Sequence, residues 1–270
     1  MNPVDGQASG DGPTRTRTSF ISEGESVAAL LYEPLSLRAC NPAVVVSPSR
    51  VTRIDEMSWL AKPLAASGYT VLVQGYRPRA VRYQMRDVAD VRNAVSHLLE
   101  SGKGDPNRIA VVGHSRGGSA SLRAAAEDAR IKSTIALSPP IDIARYMNAL
   151  REHSPSRFAM LAEAYGARPE DDPDYYRQIS PIFYATRITM PVLLIHGTDD
   201  MVAPKENSEW MYAALTRNSN SNARLELIPE AGHFFEHRFR GYLFAPVSSL
   251  VRQWLERTLA REAPLGDASR

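Results

Sequence analysis

The stretch Ile109-Ala-Val-Val-Gly-His-Ser-Arg-Gly-Gly-Ser119 decides the fold of this chain. Its apolar residues 109–112 predict a buried strand, and residues 115–126 predict a helix directly after it. Between them, Gly113-His-Ser-Arg-Gly117 matches the pattern G-x-S-x-G, which alone arises by chance in roughly one chain in ten of this length. Its position between a strand and a helix makes it specific, because a nucleophile elbow is a sharp turn that exposes a serine between these two elements.

The glycines beside Ser115 have a steric explanation. Strand and helix backbones approach closely at such an elbow, so a side chain at Gly113 or Gly117 would collide with the opposite backbone. The helix N-terminus behind Ser115 also places partial positive charge where an oxyanion would form. A glycine-rich turn that binds a phosphate is the alternative interpretation, but the complete pattern favours Ser115 as a nucleophile.

A serine hydroxyl needs a neighbouring imidazole to take its proton, and six histidines compete for this role. His233 lies in Glu230-Ala-Gly-His-Phe-Phe235, a glycine-containing loop after the last predicted strand. This position is on the same edge of the sheet as the elbow, so we predict His233 as the base. We expect His114 to point away from the serine, His196 to be packed or bonded to a turn, and His237 to lie on a helix.

The acid that orients the histidine should lie between serine and histidine in chain order. The segment His196-Gly-Thr-Asp-Asp-Met-Val-Ala-Pro204 follows a predicted strand and supplies Asp199 and Asp200. A buried carboxylate at either position would fix the imidazole tautomer and stabilise the imidazolium. The other aspartate would form a turn by bonding its own backbone.

Short apolar runs alternate with amphipathic segments of helix length along the rest of the chain. The runs that predict strands are residues 43–47, 70–74, 109–112, 134–137, 192–195 and 225–228. The segments that predict helices are residues 56–67, 85–100, 115–126, 205–216 and 243–261. Such alternation is typical of a sheet covered by helices on both faces. The sequence therefore predicts an α/β fold with a mostly parallel, doubly wound sheet.

Two segments depart from this alternation. Residues 17–32 alternate in polarity around Glu23-Gly-Glu25, which predicts an N-terminal β-hairpin. Residues 142–187 contain helical patches and are too long for an ordinary loop. We predict that they form a small helical cap over the C-terminal edge of the sheet. Scaffold helices that do not contact substrate are the alternative.

Composition bounds the class of protein. The 270 residues are 43% hydrophobic and 23% charged, which suits one domain, predicted over residues 14–261 between flexible tails at 1–13 and 262–270. The net charge of +2 gives no reason to expect nucleic-acid binding. No run of 18 apolar residues and no signal peptide is seen, so we expect no membrane partner and a cytoplasmic location. The lone Cys40 forms no internal disulfide and lacks a nucleophile motif.

Three segments together resemble the α/β-hydrolase superfamily, and are most similar to its dienelactone-hydrolase and prolyl-oligopeptidase-like branches. They are residues 107–118, 190–200 and 231–235, within a resemblance that covers residues 43–259. Residues 172–181 resemble the approach to the acid strand in the second branch. The resemblance implies the α/β-hydrolase fold. It also implies Asp200 as the acid, because that residue is usually the fourth after the histidine of His-Gly.

The oxyanion hole departs from the families' usual pattern. After the first buried strand they usually carry His-Gly or a similar turn, whereas this chain has Ser47-Pro-Ser-Arg50, and Pro48 has no N–H to donate. We assign the two donors to the backbone N–H groups of Arg116 and Ser49. Arg50 or the Ser49 hydroxyl is the alternative for the second donor.

The predicted reaction is attack of Ser115 on a small-molecule carboxylic ester, followed by hydrolysis of the acyl-enzyme through His233. A peptidase or amidase is less expected because we see no separate propeller domain. An acyltransferase or cyclase and a non-catalytic binding protein are further alternatives. No metal or cofactor motif is present, so none is predicted. Homodimers are common among such folds, and a homodimer is possible here.

Arginines crowd the loops that are predicted to surround the site. They are Arg50, Arg53, Arg77, Arg79, Arg82 and Arg116. Because guanidinium groups suit carboxylates and phosphates, one hypothesis is an anionic substrate held by Arg50 and Arg79. The favoured alternative is that these arginines pair with Asp55, Glu56, Asp87 and Asp90. Aromatic and apolar candidates for an acyl pocket, each more often core residues, are Met57, Trp59, Tyr76, Tyr146, Phe183 and Phe234.

Overall fold

A computed structural model describes residues 12–36, 40–77 and 81–260. The predicted tails, apart from residues 12 and 13, lie outside the described residues, and so does the candidate Arg79. In the described ranges, no helix combines the length and the apolar character that crossing a membrane requires.

The predicted mostly parallel sheet is confirmed. Its eight strands are β1 (Thr14–Ser22), β2 (Glu25–Glu33), β3 (Ala43–Ser47), β4 (Thr70–Gln74), β5 (Ile109–His114), β6 (Ile131–Leu137), β7 (Val192–Gly197) and β8 (Ala223–Ile228). They lie in the order β1-β2-β4-β3-β5-β6-β7-β8. The predicted hairpin β1–β2 is antiparallel and joins β4 antiparallel, whereas the pairs from β4 to β8 are parallel. Parallel strands place their carboxyl ends along one edge, so the loops after β3, β5, β7 and β8 meet there.

Helices cover both faces of the sheet. They are α1 (Ser58–Ala66), α2 (Tyr83–Glu100), α3 (Arg116–Glu127), α4 (Ile143–His153), α5 (Pro155–Tyr165), α6 (Pro173–Ile179), α7 (Glu206–Arg217) and α8 (Phe244–Thr258). Alternate residues of β3 show the division: Val44 and Val46 pack with α1 and α8, whereas Val45 packs with α2 and α3. A strand buried on both faces must be apolar throughout, which explains the run Ala43-Val-Val-Val46.

The segment predicted as a cap folds into α4, α5, α6 and a 3-10 helix at Pro181–Arg187. Local capping defines two of these helices, because the Asp142 side chain accepts from Arg145 N–H and the Asp172 side chain from Tyr175 N–H. The three α-helices share a hydrophobic cluster that also takes in Tyr83 of α2. This cluster ties the segment to the main domain beside α2.

The expectation that His237 lies on a helix is wrong. Residues Glu236–His237 form a short strand, β9, which pairs with β10 at Gly241–Tyr242. The His237 ring makes this turn, since its Nδ1 accepts the backbone N–H groups of Phe239 and Arg240. Gly241 has a φ of 68°, which favours glycine and ends any helical continuation.

Candidate active site

Ser115 lies at the turn between β5 and α3. Its φ of 54° and ψ of −114° are unusual for a residue with a side chain, and its N–H is held by Leu137 O at 2.7 Å. Such backbone strain persists where the surrounding structure enforces it, and it is concentrated at functional sites.

The glycines of the elbow are required by space. A Cβ atom on Gly113 would lie 2.0 Å from Gly117 O, and a Cβ atom on Gly117 would lie 2.2 Å from Ser47 O. Both contacts are with backbone, which cannot move without separating β5, α3 and β3. Close packing of three backbones therefore explains the pattern G-x-S-x-G.

Three side chains from separate loops meet at this turn. His233 Nε2 lies 2.9 Å from Ser115 Oγ, and His233 Nδ1 lies 2.7 Å from Asp200 Oδ2. Asp200 Oδ1 accepts the backbone N–H groups of Val202 and Ala203, each at 2.8 Å. Asp200 is ionised and acts only as an acceptor, so Nδ1 of His233 carries the ring proton and Nε2 accepts from the serine hydroxyl.

The neighbouring Asp199 occupies a different place. It is exposed, and its carboxylate accepts from the Thr198 hydroxyl at 3.1 Å rather than from an imidazole. Its own N–H donates to Ala231 O at 3.0 Å. The structure therefore brings Asp200, and not Asp199, to His233.

His196 contacts the site in a way that the sequence did not reveal. It is fully buried, and its Nε2 donates to Ala203 O at 2.7 Å and to Asp200 Oδ2 at 3.1 Å. Its Nδ1 accepts from the Ser208 hydroxyl at 2.7 Å. Burial alone would raise the pKa of the Asp200 carboxyl, but hydrogen bonds from His196 and His233 outweigh it and hold the pKa well below its ordinary value.

His114 supports the loop that carries His233. Its buried Nε2 donates to His233 O at 2.8 Å, and the two rings lie 5.1 Å apart between centroids. Burial, together with the nearby His233, lowers the pKa of His114 from the ordinary 6.5 to about 3. The ring is therefore neutral in the folded protein at neutral pH.

This neutral histidine predicts loss of stability in mild acid. The pKa of His114 is lower in the folded than in the unfolded chain, so its contribution is complete above pH 6.5 and is lost as the pH falls toward 3. We expect this group to lower the free energy of unfolding by about 2 kcal/mol between pH 7 and pH 5. Urea unfolding at the two pH values, with wild type and His114→Gln, measures the difference.

His114→Gln keeps an N–H donor but removes the titration, so its stability should depend less on pH. His153→Gln, at an exposed position near the end of α4, should retain the wild-type difference. Equal pH dependence in wild type and His114→Gln would contradict a buried neutral His114.

The two assigned oxyanion donors lie on neighbouring segments. Arg116 is the first residue of α3, where backbone N–H groups have no intrahelical acceptor. Ser49 lies two residues beyond Ser47, which pairs with Gly113 in the sheet. The Ser49 hydroxyl accepts from Thr52 N–H at 3.1 Å and lies 2.6 Å from Thr52 Oγ1, so it is part of its own loop.

Tyr76 links these two segments and does not line the cavity beside Ser115. Its hydroxyl donates to Pro48 O at 2.7 Å, in the same peptide unit as the Ser49 N–H. Because C=O and N–H of a trans peptide point in opposite directions, this bond orients that N–H. The guanidinium of Arg116 stacks 3.8 Å from the Tyr76 ring centroid and binds both oxygens of Asp87, at 2.6 and 2.5 Å.

The other loop arginines that the structure describes also have protein partners. Arg77 binds Asp90 at 2.7 Å, Arg82 binds Asp172 at 2.6 Å, and Arg53 lies 3.9 Å from Glu56. Together with the Arg116–Asp87 pair, these contacts give four of the six arginines a structural role. Arg50 lines the cavity and contacts Met160 Sδ at 3.7 Å.

A cavity of about 70 Å³ opens beside Ser115. Its apolar wall comes from α2 to α6 and consists of Val88, Ala120, Ile143, Tyr146, Leu161, Tyr165 and Ile179. Its charged lining residues are Arg50, Asp87, Arg116, Arg123 and Arg157. Of the candidates for an acyl pocket, Tyr146 lies here, whereas Met57, Trp59 and Phe234 line a separate cleft. Phe183 is exposed and borders neither.

A mostly parallel sheet, a strained serine between strand and helix, and a histidine–aspartate pair at the same edge define the α/β class of serine hydrolases. Within this class, the chain belongs to the prolyl oligopeptidase family, because the sequence model of that family matches residues 78–258. The resemblance to the superfamily and to this branch is thereby confirmed.

Relatives of this chain carry several activities in their names. Esterase LipC of Mycobacterium tuberculosis is 28% identical over 64% of this chain and 47% of its own length. A putative carboxymethylenebutenolidase of Salmonella typhimurium is 23% identical over 88% and 84%. The solved structure of a puromycin-hydrolyzing peptidase of M. tuberculosis has a similar fold, with a TM-score of 0.76. It is 21% identical, and the match covers 93% of this chain and 40% of that chain, so it is evidence for the fold alone. The chain thus spans about half or less of the length of the first and third.

Proposed function

We propose that this chain hydrolyses carboxylic esters of small molecules by nucleophilic attack of Ser115. The observation that carries the proposal is the continuous line of hydrogen bonds from Ser115 Oγ through His233 to Asp200, at 2.9 and 2.7 Å. As Oγ bonds to the acyl carbon, its proton passes to His233 Nε2 and then to the leaving oxygen. Water attacks the acyl-enzyme by the same path in reverse, with His233 as base.

Charge develops at two places during this reaction, and the site has a group for each. The ionised Asp200 stabilises the imidazolium of His233, because its lowered pKa keeps the carboxylate charged at neutral pH. The N–H groups of Arg116 and Ser49 are our proposed donors to the oxyanion. A donor of this kind typically lowers the barrier by about 3 kcal/mol.

The cavity supports a short acyl group. At about 70 Å³ it has room for only a few atoms beyond the carbonyl, so it suits a short acyl group better than a long one. Four arginines and one carboxylate, Asp87, line it, and Arg116 already binds that carboxylate. We include in the proposal an anionic end on the acyl group, bound by Arg50. Arg79, outside the described residues, stays a sequence prediction.

A peptidase or amidase is the second candidate. The family assignment and the puromycin-hydrolyzing peptidase among the fold relatives favour it. The same three side chains would serve an amide, with His233 delivering the proton to a leaving nitrogen. The small cavity favours esters of short acids over peptides.

A panel of p-nitrophenyl esters and aminoacyl p-nitroanilides tests these alternatives, together with labelling by a fluorophosphonate. We expect labelling at Ser115 and a higher kcat/KM for the esters. Higher kcat/KM for the anilides would replace the ester assignment with the amidase, and absence of both labelling and turnover would contradict a hydrolase.

Two esters of equal acyl length, the butyrate and the hemisuccinate, test the role of Arg50. Arg50→Ala should lower kcat/KM at least tenfold more for the hemisuccinate than for the butyrate, because a hydrogen bond to a charged group is lost. Arg53→Ala, on the exposed side of the same loop, is the matched control and should affect the two esters equally. Equal losses on both esters in Arg50→Ala would remove the anionic acyl group from the proposal.

A further inference from the structure

A second cavity lies beside the loop that carries His233. The small cavity is lined by Ser115 but not by His233, whereas this one is lined by His114 and Phe234, which contact His233. We call it the aromatic cleft, after the rings of Trp59, His114, Phe234, Tyr242 and Phe244 along it. Its volume of about 420 Å³ is that of a small-molecule site.

The walls of the aromatic cleft include several flat aromatic rings. Trp59 and Phe244 stack at 4.5 Å with an interplanar angle of 12°, and Tyr242 continues the stack on Phe244 at 4.8 Å and 18°. Tyr242 is 63% exposed, and Trp59, Phe234 and Phe244 are half-buried. Apolar surface of this kind, concentrated beside an active site, is typical of a binding site.

The reaction geometry says which half of a substrate meets this surface. The tetrahedral carbon on Ser115 Oγ carries an oxyanion, an acyl substituent and a leaving group. The leaving atom must lie on the imidazole side, because His233 Nε2 gives it its proton. The Phe234 ring, which lines the aromatic cleft, meets the His233 ring edge-on with 5.1 Å between centroids, so the cleft begins beside the imidazole that would protonate the leaving atom.

The charge of the aromatic cleft limits the kind of leaving group that it can bind. Glu56 is its one charged lining residue among those described, and its carboxylate also accepts Arg53 N–H at 2.6 Å. No guanidinium or ammonium group among the described residues lines the cleft, in contrast to the four arginines of the acyl cavity. An anionic leaving group would therefore be repelled, whereas a neutral flat one would stack on the rings.

We propose that the aromatic cleft is the leaving-group subsite and that the natural substrate is an ester of a neutral aryl or arylalkyl alcohol. This inference rests on the proposed function. In acylation the Ser115 Oγ–C bond forms, the C–O bond to the aryl alcohol breaks, and the serine proton leaves with that alcohol. The acyl-enzyme that remains is independent of the alcohol, so the aromatic cleft acts on acylation alone.

Acetates with different leaving groups test the subsite while the acyl-enzyme stays constant. The substrates are 2-naphthyl acetate, its sulfonated anionic analogue, and hexafluoroisopropyl acetate, whose small alcohol is about as acidic as 2-naphthol. We expect Trp59→Ala and Tyr242→Ala each to lower the ratio of kcat/KM for the naphthyl to the hexafluoroisopropyl ester by about tenfold. Glu56→Gln should raise kcat/KM for the sulfonated ester relative to the neutral naphthyl ester.

Phe239→Ala is the matched control, because Phe239 is an 80% exposed ring on the same loop but outside the aromatic cleft. Its substrate ratios should equal those of wild type. Unchanged ratios in Trp59→Ala and Tyr242→Ala would overturn the subsite and leave these rings as a surface for another protein segment. Methylphosphonates with the same leaving groups report the subsite by their rate of inactivating Ser115, even if no carboxylic ester is turned over.

Discussion

Replacing Ser115 by alanine is expected to lower kcat about a million-fold, the cost typical of removing the nucleophile from a serine triad. Alanine removes the oxygen that we propose bonds to the acyl carbon, while the proposed oxyanion donors and the cavity remain. The residual rate should come from water in a preorganised site. Because the three groups act as a unit, Ser115→Ala with His233→Ala should be no slower than Ser115→Ala alone.

The substitution should leave the fold intact, which makes the kinetic result interpretable. The φ of 54° at this position is equally strained for serine and alanine, and the Ser115 hydroxyl forms its hydrogen bond with His233. Thermal unfolding of the variant should match wild type within a few degrees.

Ser121→Ala is the matched control, because it removes a buried hydroxyl without a hydrogen-bond partner from α3, the helix that begins directly after Ser115. It should retain kcat, measured with a saturating nitrophenyl ester. A Ser115→Ala enzyme within tenfold of wild type would require another nucleophile.

The strands and the elbow were predictable because their signals are local. A strand buried on both faces must be apolar at every residue, so Ala43-Val-Val-Val46 and Ile109-Ala-Val-Val112 stand out in the sequence. The strand ends were less visible. The strand β6 begins at Ile131, where the half-exposed Lys132 interrupts the apolar run, and the prediction began only at residue 134.

The contacts around Asp200 were not predictable, because they depend on distances in the folded chain. His196 was expected to be packed or turn-bonded, and it is, but its partner is the acid itself. The spacing was one signal that the two side chains could meet. His196 and Asp200 are four residues apart, and the turn between them also brings Ala203 O to the His196 ring. The support of the His233 loop by His114, 119 residues earlier in the chain, had no such signal.

The sequence predicted that the loop arginines pair with carboxylates, but it did not predict the geometry of each pair. The sequence favoured pairing of the loop arginines with aspartates and glutamates, and named Asp87 and Asp90 among the partners. It did not show that Arg116 lies between the rings of Tyr76 and Tyr83, with its guanidinium carbon 3.8 and 4.1 Å from their centroids. Tyr76, a candidate for substrate contact, packs against Arg116 instead. Asp87 of α2 binds the Arg116 guanidinium and holds it over the Tyr76 ring.

Asp200→Asn is expected to lower kcat about ten-thousand-fold, through the proton position on His233. Asp200 Oδ1 accepts two backbone N–H groups, from Val202 and Ala203, and only the oxygen of an asparagine can take that place. The asparagine NH₂ must then face His233 Nδ1 and His196 Nε2. Opposite an N–H donor, His233 Nδ1 must act as a hydrogen-bond acceptor, so the ring proton moves to Nε2. A protonated Nε2 can no longer accept the proton of Ser115.

Asp199→Asn is the matched control one residue away, because Asp199 is exposed and contacts no imidazole. It should keep kcat within a factor of two or so of wild type, since surface substitutions rarely change the folded structure. Both variants are compared by kcat with one ester at saturation. Thermal unfolding is measured as well, because Asp200→Asn also places an amide N–H donor against the N–H donor of His196. The orienting role passes to Asp199 if the large loss occurs in Asp199→Asn instead. If neither variant loses more than tenfold, the tautomer of His233 is held by another acceptor.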